Sequence, residues 1–424
     1  MNATILPIRT PAETALAERF ATERARLPGA AAVRAAAFAR FEKTGLPSRR
    51  VESWHYTDLR SLMRELAPAA GEAAVPAALP EFEGLGHRLV LVNGRAGAGP
   101  LPAGVTVEPL ATALAAGRVA LGAAMGAAED TIVDLNTALA REGLAIRIAR
   151  GAEAALHLAF VTVAETAVSV ASRIVVEVEP GAALTLVETH TGPDGLACQQ
   201  NIVVELALGA GARVEHVRVN ESGDAALALS TLAATLAAGS ALASLNVSTG
   251  GAVSRHQVFV TYAGEGATLS LRGATMIKGR QHCDNTLVVD HAVPHGESRE
   301  LFRTVIDDEA QGVFQGKIIV RPDAQKTDGQ MASNALLLGD EAGMANKPEL
   351  EIFADDVVCA HGATCGALDE NQLFYLMARG LPKPEAEALL VEAFVAEALD
   401  QVRHEGIRAA LTAKIGAFMR GRAR

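Results

Sequence analysis

The order of apolar and polar positions divides the 424-residue chain into three parts. Before about residue 65, apolar side chains recur every three or four positions, which is typical of amphipathic helices. Between about residues 150 and 350, apolar and polar positions alternate in short runs that end at Gly, which is typical of strands. After Leu368 the helical spacing returns. The pattern therefore predicts a β-rich centre between two helical regions.

Local signals predict where the terminal helices begin and end. Thr10 and Pro11 are a typical N-cap and first helical residue, and a second helix is predicted over residues 31–43. The Pro- and Ala-rich residues 67–80 indicate a linker. Three C-terminal helices are predicted, at residues 370–379, from about Pro384 onward, and at residues 405–418.

The β-rich centre contains an internal repeat. Ile174–Val178 is echoed 28 residues later by Ile202–Leu206. Small-residue turns recur at Gly151, Gly181, Gly211, Gly239 and Gly266, with spacings of 30, 30, 28 and 27 residues. A period in this range marks a repeat architecture in which each repeat buries its apolar face on its neighbours. Stacked β-coils are favoured over a large β-sandwich, because sandwich strands seldom repeat one another's sequence.

Composition and charge exclude several classes of protein. The net charge of −11 argues against a nucleic-acid surface, which needs clustered Lys and Arg. Four cysteines in so long a chain do not make a disulfide framework. Met1–Pro7 lacks the basic and apolar regions of a signal peptide, and no apolar stretch suggests a membrane span. These features predict a cytoplasmic protein that binds neither nucleic acid nor membranes.

Several enzyme motifs are absent. The sequence has no phosphate loop, no dinucleotide-binding glycine fingerprint, no H-E-x-x-H and no G-x-S-x-G. Any ATP-driven step would therefore come from a partner.

The densest group of reactive side chains lies in residues 355–365. In an extended chain, residues two apart face the same side, so Cys359 and His361 would point together. A thiolate beside an imidazole suits iron–sulfur chemistry or zinc. A structural zinc site needs four ligands, and no second Cys/His pair of matching spacing stands nearby. The segment therefore resembles a half-site that another chain completes.

Structural roles compete with this interpretation. On spacing alone, a buried Cys359 and a hydrogen-bonded His361 are favoured over metal ligands. Cys365 is predicted to be a small core residue, and Asp355–Asp356 to be the turn that closes one coil. Trp54 is predicted to pack in the core and to anchor the helical region to the rest.

One set of linked motifs resembles the SufB/SufD family, and its SufD branch in particular. The resemblance covers nearly the whole chain. Its motifs are Glu52-x-Trp54-x-Tyr56-Thr57-x-Leu59, Lys347-Pro348-Glu349-Leu350-Glu351-Ile352, Asp355-Asp356-Val357, Cys359-x-His361-Gly362-Ala363-Thr364, Leu368-Asp369, Leu373-Phe374-Tyr375-Leu376 and Arg379-Gly380. Where SufB-type chains have a cysteine before their Leu-Leu-Ile-Gly segment, this sequence has Ser333, which favours SufD over SufB.

The resemblance implies a mainly β fold, with a right-handed parallel β-helix core flanked by N-terminal and C-terminal α-helical regions. It implies a heterodimer with SufB through the C-terminal part of the β-helix, and binding of the ATPase SufC by the C-terminal helices. A transient iron–sulfur cluster would form at the SufB interface, with none expected on the isolated chain. His361 would be a metal ligand there, and Cys359 a weaker candidate.

The sequence is therefore interpreted as a non-catalytic scaffold subunit of the SufB–SufC–SufD complex. Residues 1–80 are predicted to be the N-terminal helical region and linker, residues 81–367 the β-helix core, and residues 368–424 the C-terminal helical region. Two alternatives remain. One is a β-helix carbohydrate-active enzyme, and the other is a metal-binding protein that needs no partner.

Overall fold

A computed structural model describes residues 9–97 and 99–422, with side chains described up to residue 420. The opening residues Met1–Pro7 lie outside this part of the chain. The helices are α1 (Pro11–Glu23), α2 (Ala31–Thr44), α3 (Leu59–Leu62), α4 (Leu110–Ala115), α5 (Thr131–Leu139), α6 (Glu370–Ala378), α7 (Lys383–Leu399) and α8 (Glu405–Arg422).

Nineteen strands lie between α3 and α6 in the described residues. They are β1 (Arg88–Val92), β2 (Arg95–Ala96), β3 (Val105–Pro109), β4 (Glu142–Ile148), β5 (Glu153–Val161), β6 (Ser169–Val178), β7 (Ala183–Thr191), β8 (Gln199–Leu208), β9 (Arg213–Glu221), β10 (Leu227–Leu236), β11 (Ala241–Ser248), β12 (Val253–Tyr262), β13 (Thr268–Ile277), β14 (His282–His291), β15 (Glu297–Ile306), β16 (Gln311–Val320), β17 (Asp328–Leu337), β18 (Gly343–Ile352) and β19 (Val358–Gly366).

The predicted helices are confirmed to within a few residues. Thr10 and Glu13 form a reciprocal capping box: the Glu13 backbone N–H donates to Thr10 Oγ1 at 3.2 Å, and the Thr10 N–H donates to Glu13 Oε2 at 2.7 Å. Asp369 caps α6 by accepting the backbone N–H groups of Asn371 and Gln372. None of the described helices is long and apolar enough to cross a membrane.

The strands form two sheets that are parallel except at β2 and β3, and the sheets wind into a β-helix. Sheet A contains β3 and the even-numbered strands from β4 to β18, and sheet B contains β1, β2 and the odd-numbered strands from β5 to β19. Each turn gives one strand to each sheet, so the pairs from β4–β5 to β18–β19 make eight turns. The parallel β-helix prediction is confirmed, and the β-sandwich alternative is wrong.

The register of the turns follows the glycine spacing rather than the sequence echo. In sheet B, Ala183 pairs with Arg213 and Arg213 with Ala241, which gives offsets of 30 and 28 residues. In sheet A, however, Ile174 pairs with Val204, an offset of 30. The 28-residue echo was therefore two residues out of register. It still assigned side chains to the correct face, because strands have a period of two.

The apolar side chains form three layers. Alternate residues of both sheets point inward and pack into one continuous core, which includes Ile174, Leu206 and Leu269. On the outer face of sheet A, α1, α2 and α5 pack over Leu229. On the outer face of sheet B, α7 and α8 bury Val217. Both terminal helical regions are thus held against the β-helix by apolar contacts.

Candidate metal half-site

The eighth turn of the β-helix is open to solvent. Strands β18 and β19 are the last strands of sheets A and B, and within the described residues nothing pairs with their outer edges. Every residue of β18 is half-buried or exposed, and Cys359 is the one residue of β19 that is not exposed. The first turn differs, since the antiparallel strands β2 and β3 close the sheets at that end. The open end is therefore the place where a further chain could add strands.

Cys359 and His361 lie side by side on the inward face of this open turn. Cys359 pairs with Gly329 of β17, and His361 pairs with Met331. Gly329 and Met331 are both buried in the β-helix interior. Because parallel neighbours in register share a face, Cys359 and His361 face the same way, over the end of the core. The predicted shared face is confirmed.

Cys359 has one side in the core and the other in solvent. Its side chain packs against the inward apolar cluster, and burial raises the pKa of its thiol. The backbone of Gly329 offsets part of this shift by hydrogen bonding to the sulfur. A thiol in this position is held in the neutral form until a cation replaces its proton.

His361 is exposed and makes no hydrogen bond or ion pair within the described residues. The alternative of a buried, hydrogen-bonded His361 is therefore wrong. Both ring nitrogens are open to a ligand, and a neutral imidazole can bind iron without releasing a proton.

Cys365 was predicted to be a core residue, and this prediction is wrong because Cys365 is exposed. It lies on the same face of β19 as Cys359, but in the part of the chain that the structure describes no further turn stacks on β19. On the strand beneath, Ser333 is fully buried, and its hydroxyl donates to Asn346 Oδ1 at 2.7 Å. Ser333 is thus engaged in a hydrogen bond inside the β-helix.

The described residues contain no group of three or more His, Cys, Asp or Glu that could hold a metal ion. Cys359 and His361 are a soft and a borderline ligand type, two of the four that a tetrahedral site needs. The chemistry of this pair suits a site shared between two chains.

An apolar corner beside the half-site was not predicted from the sequence. Ile352, Phe353 and Val358 flank the turn between β18 and β19, with 41%, 59% and 63% of their surfaces exposed. A continuous apolar patch rimmed by charge is typical of a protein interface. The alternation of Leu350 to Phe353 could have located it, had the end of the repeat been known.

The C-terminal helices differ in how they are packed. Helix α6 has no buried residue, and its Phe374 and Tyr375 are 73% and 57% exposed. In α7, Val391 and Val395 are buried against sheet B, whereas Leu389 points to solvent. The apolar side chains of α7 are thus divided between the protein's own core and an exposed side.

The chain matches two family models. Residues 160–394 match the SufBD core domain of the SUF system of iron–sulfur cluster assembly. Residues 18–66 match the SufBD protein N-terminal region. The first match covers more than half of the chain, including the β-helix turns from β6 to β19 and the open end.

Two named relatives resemble the chain over most of its length, and a third resembles it over about a third. An iron–sulfur cluster assembly SufBD family protein of Synechocystis is 32% identical over 382 residues, covering 84% of each chain. The iron–sulfur cluster assembly protein SufD of Escherichia coli is 30% identical over 411 residues, covering 90% of this chain and 91% of SufD. SufD of Bacillus subtilis is 32% identical over 152 residues, covering 36% and 35% of the two chains.

Proposed function

This chain belongs to the SufBD family of the SUF iron–sulfur cluster assembly system, and we propose that it serves there as a SufD-type scaffold subunit. Such a subunit is not an enzyme: it holds part of a nascent cluster while a partner hydrolyses ATP. The observation that carries the proposal is a pair of ligand-type side chains, Cys359 and His361, on an exposed strand whose outer edge has no partner among the described residues.

We propose that SufB binds the open end of the β-helix to form a heterodimer. Two long strands with unpaired backbone groups, β18 and β19, are strong templates for strand addition. The apolar corner of Phe353 and Val358 would lose its contact with water in the same interface. Both features lie within one turn of the half-site, so a partner bound there could supply the missing ligands.

The iron–sulfur cluster is the cargo of this site. His361 would bind iron at the interface, and Cys359 would bind it directly or hold a position next to it. The cluster would be transient, because half of its ligands leave with the partner. Metal analysis of the isolated chain should find little iron or zinc. Stoichiometric metal without SufB would favour the self-sufficient metal-binding alternative.

The C-terminal helices are the proposed dock for the ATPase SufC. Helix α6 exposes Phe374 and Tyr375, neither of which is buried in the fold, and Leu389 is exposed on α7. We further propose three domains. Residues 1–80 form the N-terminal region, residues 81–367 form the β-helix, and residues 368–424 form the region that binds SufC. The proposed location is the cytoplasm.

The test of the half-site is His361→Ala in the complex with SufB and SufC. Because His361 is exposed and unpartnered, its removal should leave the melting temperature and the complex yield unchanged. The yield of reconstituted cluster, measured by absorbance, should fall on the order of tenfold or more, since nothing nearby replaces the imidazole.

Cys365→Ala is the matched control, because Cys365 is an exposed thiol on the same strand and face. It should have wild-type yield. Cys359→Ala should equal His361→Ala if the thiol is a ligand, and should be milder if it lies beside the cluster. A folded, fully assembled His361→Ala complex with wild-type cluster yield would remove His361 from the site.

A further inference from the structure

The segment Glu52–Thr57, here called the strap, crosses the outer face of sheet A towards the open end. It contacts four neighbouring strands of that sheet through Arg255 of β12, His282 and Asp284 of β14, Gln315 of β16 and Lys347 of β18. These contacts join parts of the chain more than 200 residues apart.

The centre of the strap is a buried anchor. Trp54 is 1% exposed, and the guanidinium of Arg255 lies over its ring, 3.8 Å from the centroid. The Trp54 indole N–H donates to Asp130 Oδ2 at 3.2 Å, at the start of α5. Arg255 is itself buried and paired with the buried Asp284. Stacking and a satisfied ion pair together fix the strap on β12 and β14.

Two further contacts hold the backbone of the strap in place. The carbonyl of Ser53 accepts hydrogen bonds from Arg255 Nη2 at 2.7 Å and from Gln315 Nε2 at 3.1 Å. Thr57 Oγ1 donates to Asp284 and lies 2.8 Å from His282 Nε2. The segment therefore cannot shift along the sheet without breaking buried hydrogen bonds.

The outer end of the strap reaches the last strand of sheet A. Glu52 Oε1 lies 2.8 Å from Nζ of Lys347, in the middle of β18. This hydrogen bond lowers the pKa of the Glu52 carboxyl and raises the pKa of the Lys347 ammonium. Both pKa shifts favour the charged forms of the side chains, so the contact is an ion pair at neutral pH.

Strand β18 is an edge strand, and the contact with Glu52 can stabilise it. Among the described strands it pairs with β16 alone, whereas inner strands pair on both sides. Edge strands open more easily than inner ones, because half of their backbone groups have no partner in the sheet. On sheet B, none of the segments that the structure describes covers β19 in this way, and its outward residues Ala360, Gly362 and Thr364 are exposed.

We propose that the strap is a positioning segment that keeps β18 closed on β16 and ready to receive a partner strand. The inference rests on the proposed function for the identity of the partner, SufB. It assigns the N-terminal region a role in forming the interface. Trp54 anchors the strap, and the ion pair between Glu52 and Lys347 connects the strap to β18.

A charge-swap cycle tests this inference. Hydrogen exchange over residues 343–352 is measured in the isolated full chain for Glu52→Lys, Lys347→Glu and the double variant. Each single variant should speed exchange about two- to fivefold, which is the usual range for an exposed ion pair. The double variant should restore part of the lost protection and not all of it, because Glu349, 3.4 Å from Lys347 Nζ, would repel a carboxylate at position 347. The affinity for SufB should fall and recover in parallel.

Asp356→Lys is the matched control. It breaks the exposed pair between Lys326 and Asp356 at the same end of the molecule without touching the strap, and should leave exchange in β18 unchanged. Unchanged exchange in both single variants, or losses that simply add in the double variant, would overturn the inference. Faster exchange without any loss of SufB affinity would overturn the role in partner binding. The exchange measurement needs no partner, so a failure of the proposed SufB interface is detected separately.

Discussion

At the scale of single residues, the interior of the β-helix contains a buried polar cluster. Glu188 Oε1 lies 2.8 Å from Nε2 of His216, and Glu188 Oε2 lies 3.2 Å from Nε2 of His190. Burial alone would raise the pKa of Glu188, but His216 and His190 together hold it well below its usual range. Burial, aided by the charge of Arg218, lowers the pKa of His190 to about 4. A carboxylate and a neutral histidine are thus both fixed inside the core.

This cluster predicts that acid destabilises the protein. Burial also lowers the pKa of His157 and of His291 to about 4. In the unfolded chain these histidines bind protons below about pH 6.5, so stability is lost as the pH falls from about 6.5 to 4. At pH 5 the loss is roughly 2 kcal/mol for each such histidine. Glu188 adds to this loss of stability below about pH 4.3, where the carboxyl of the unfolded chain is protonated. Denaturant unfolding at pH 7 and pH 5 measures the difference.

His190→Gln is the companion variant for that measurement. It removes one titrating group from the core, so its stability should change less between the two pH values. A stability that is equal at pH 7 and pH 5 in the wild-type protein would contradict the assignment of neutral histidines to the interior.

Residue spacing predicted part of the site and not the rest. The shared face of Cys359 and His361 follows from strand geometry and could be predicted. The exposure of Cys365 could not, because the same alternation occurs whether or not another turn stacks above. The contact between Glu52 and Lys347 joins residues 295 apart, and no local pattern indicates it.

At the scale of elements, one column of residues forms the corner that leads into the strands of sheet B. Gly151, Gly181, Gly211, Gly239 and Gly266 have φ angles between 63° and 71°, a region that disfavours side chains. Each of the first four donates its N–H to the carbonyl just before the next glycine of the column, as Gly181 does to Ala210. His295 and Lys326 continue the column with φ angles of 61° and 64°.

Gly239→Ala should therefore destabilise the protein by about 1–2 kcal/mol, the cost of a side chain in the left-handed region. A Cβ at Gly239 would meet no atom within 4 Å, so the effect is purely one of backbone conformation. Gly71→Ala is the control, because Gly71 also has open space around it but no positive φ. Urea unfolding of the two variants separates conformation from crowding. Equal midpoints for Gly239→Ala and Gly71→Ala would contradict the argument.

The same column explains why the sequence predicted the turns so well. Glycine is the residue that best tolerates the positive φ of this corner, and it occupies five of the seven positions in the column, so its spacing records the length of most turns. The run Ile174–Val178 carries less information, since Val and Ile fit any inward position. Helices α4 and α5 were not predicted. Asp130, which accepts the N–H groups of Ile132 and Val133, is the N-cap signal that could have revealed α5.

At the scale of the whole molecule, the two helical regions have different relations to the β-helix. The N-terminal region lies on sheet A and extends to the open end through the strap. The C-terminal region lies on sheet B, where Arg303 and Glu397 form an ion pair between β15 and α7. Its α6 has no side chain buried in the fold. The proposed SufB surface and the proposed SufC surface use different residues, those of β18 and β19 and those of α6, so they can be altered one at a time.

Phe374→Asp should abolish SufC co-purification and leave the fold intact. The side chain is 73% exposed, so a carboxylate there costs nothing in the free chain. In a SufC interface the same carboxylate would be buried without a partner, which is strongly unfavourable.

Phe394 is a poorer choice, because it packs against the α7–α8 cluster with the Arg303 guanidinium 4.8 Å from its ring centroid. Phe394→Asp should lower the melting temperature instead. Val358→Asp, at the open end, is the control that should weaken SufB binding and spare SufC. A folded Phe374→Asp protein that still binds SufC would exclude α6 from the dock.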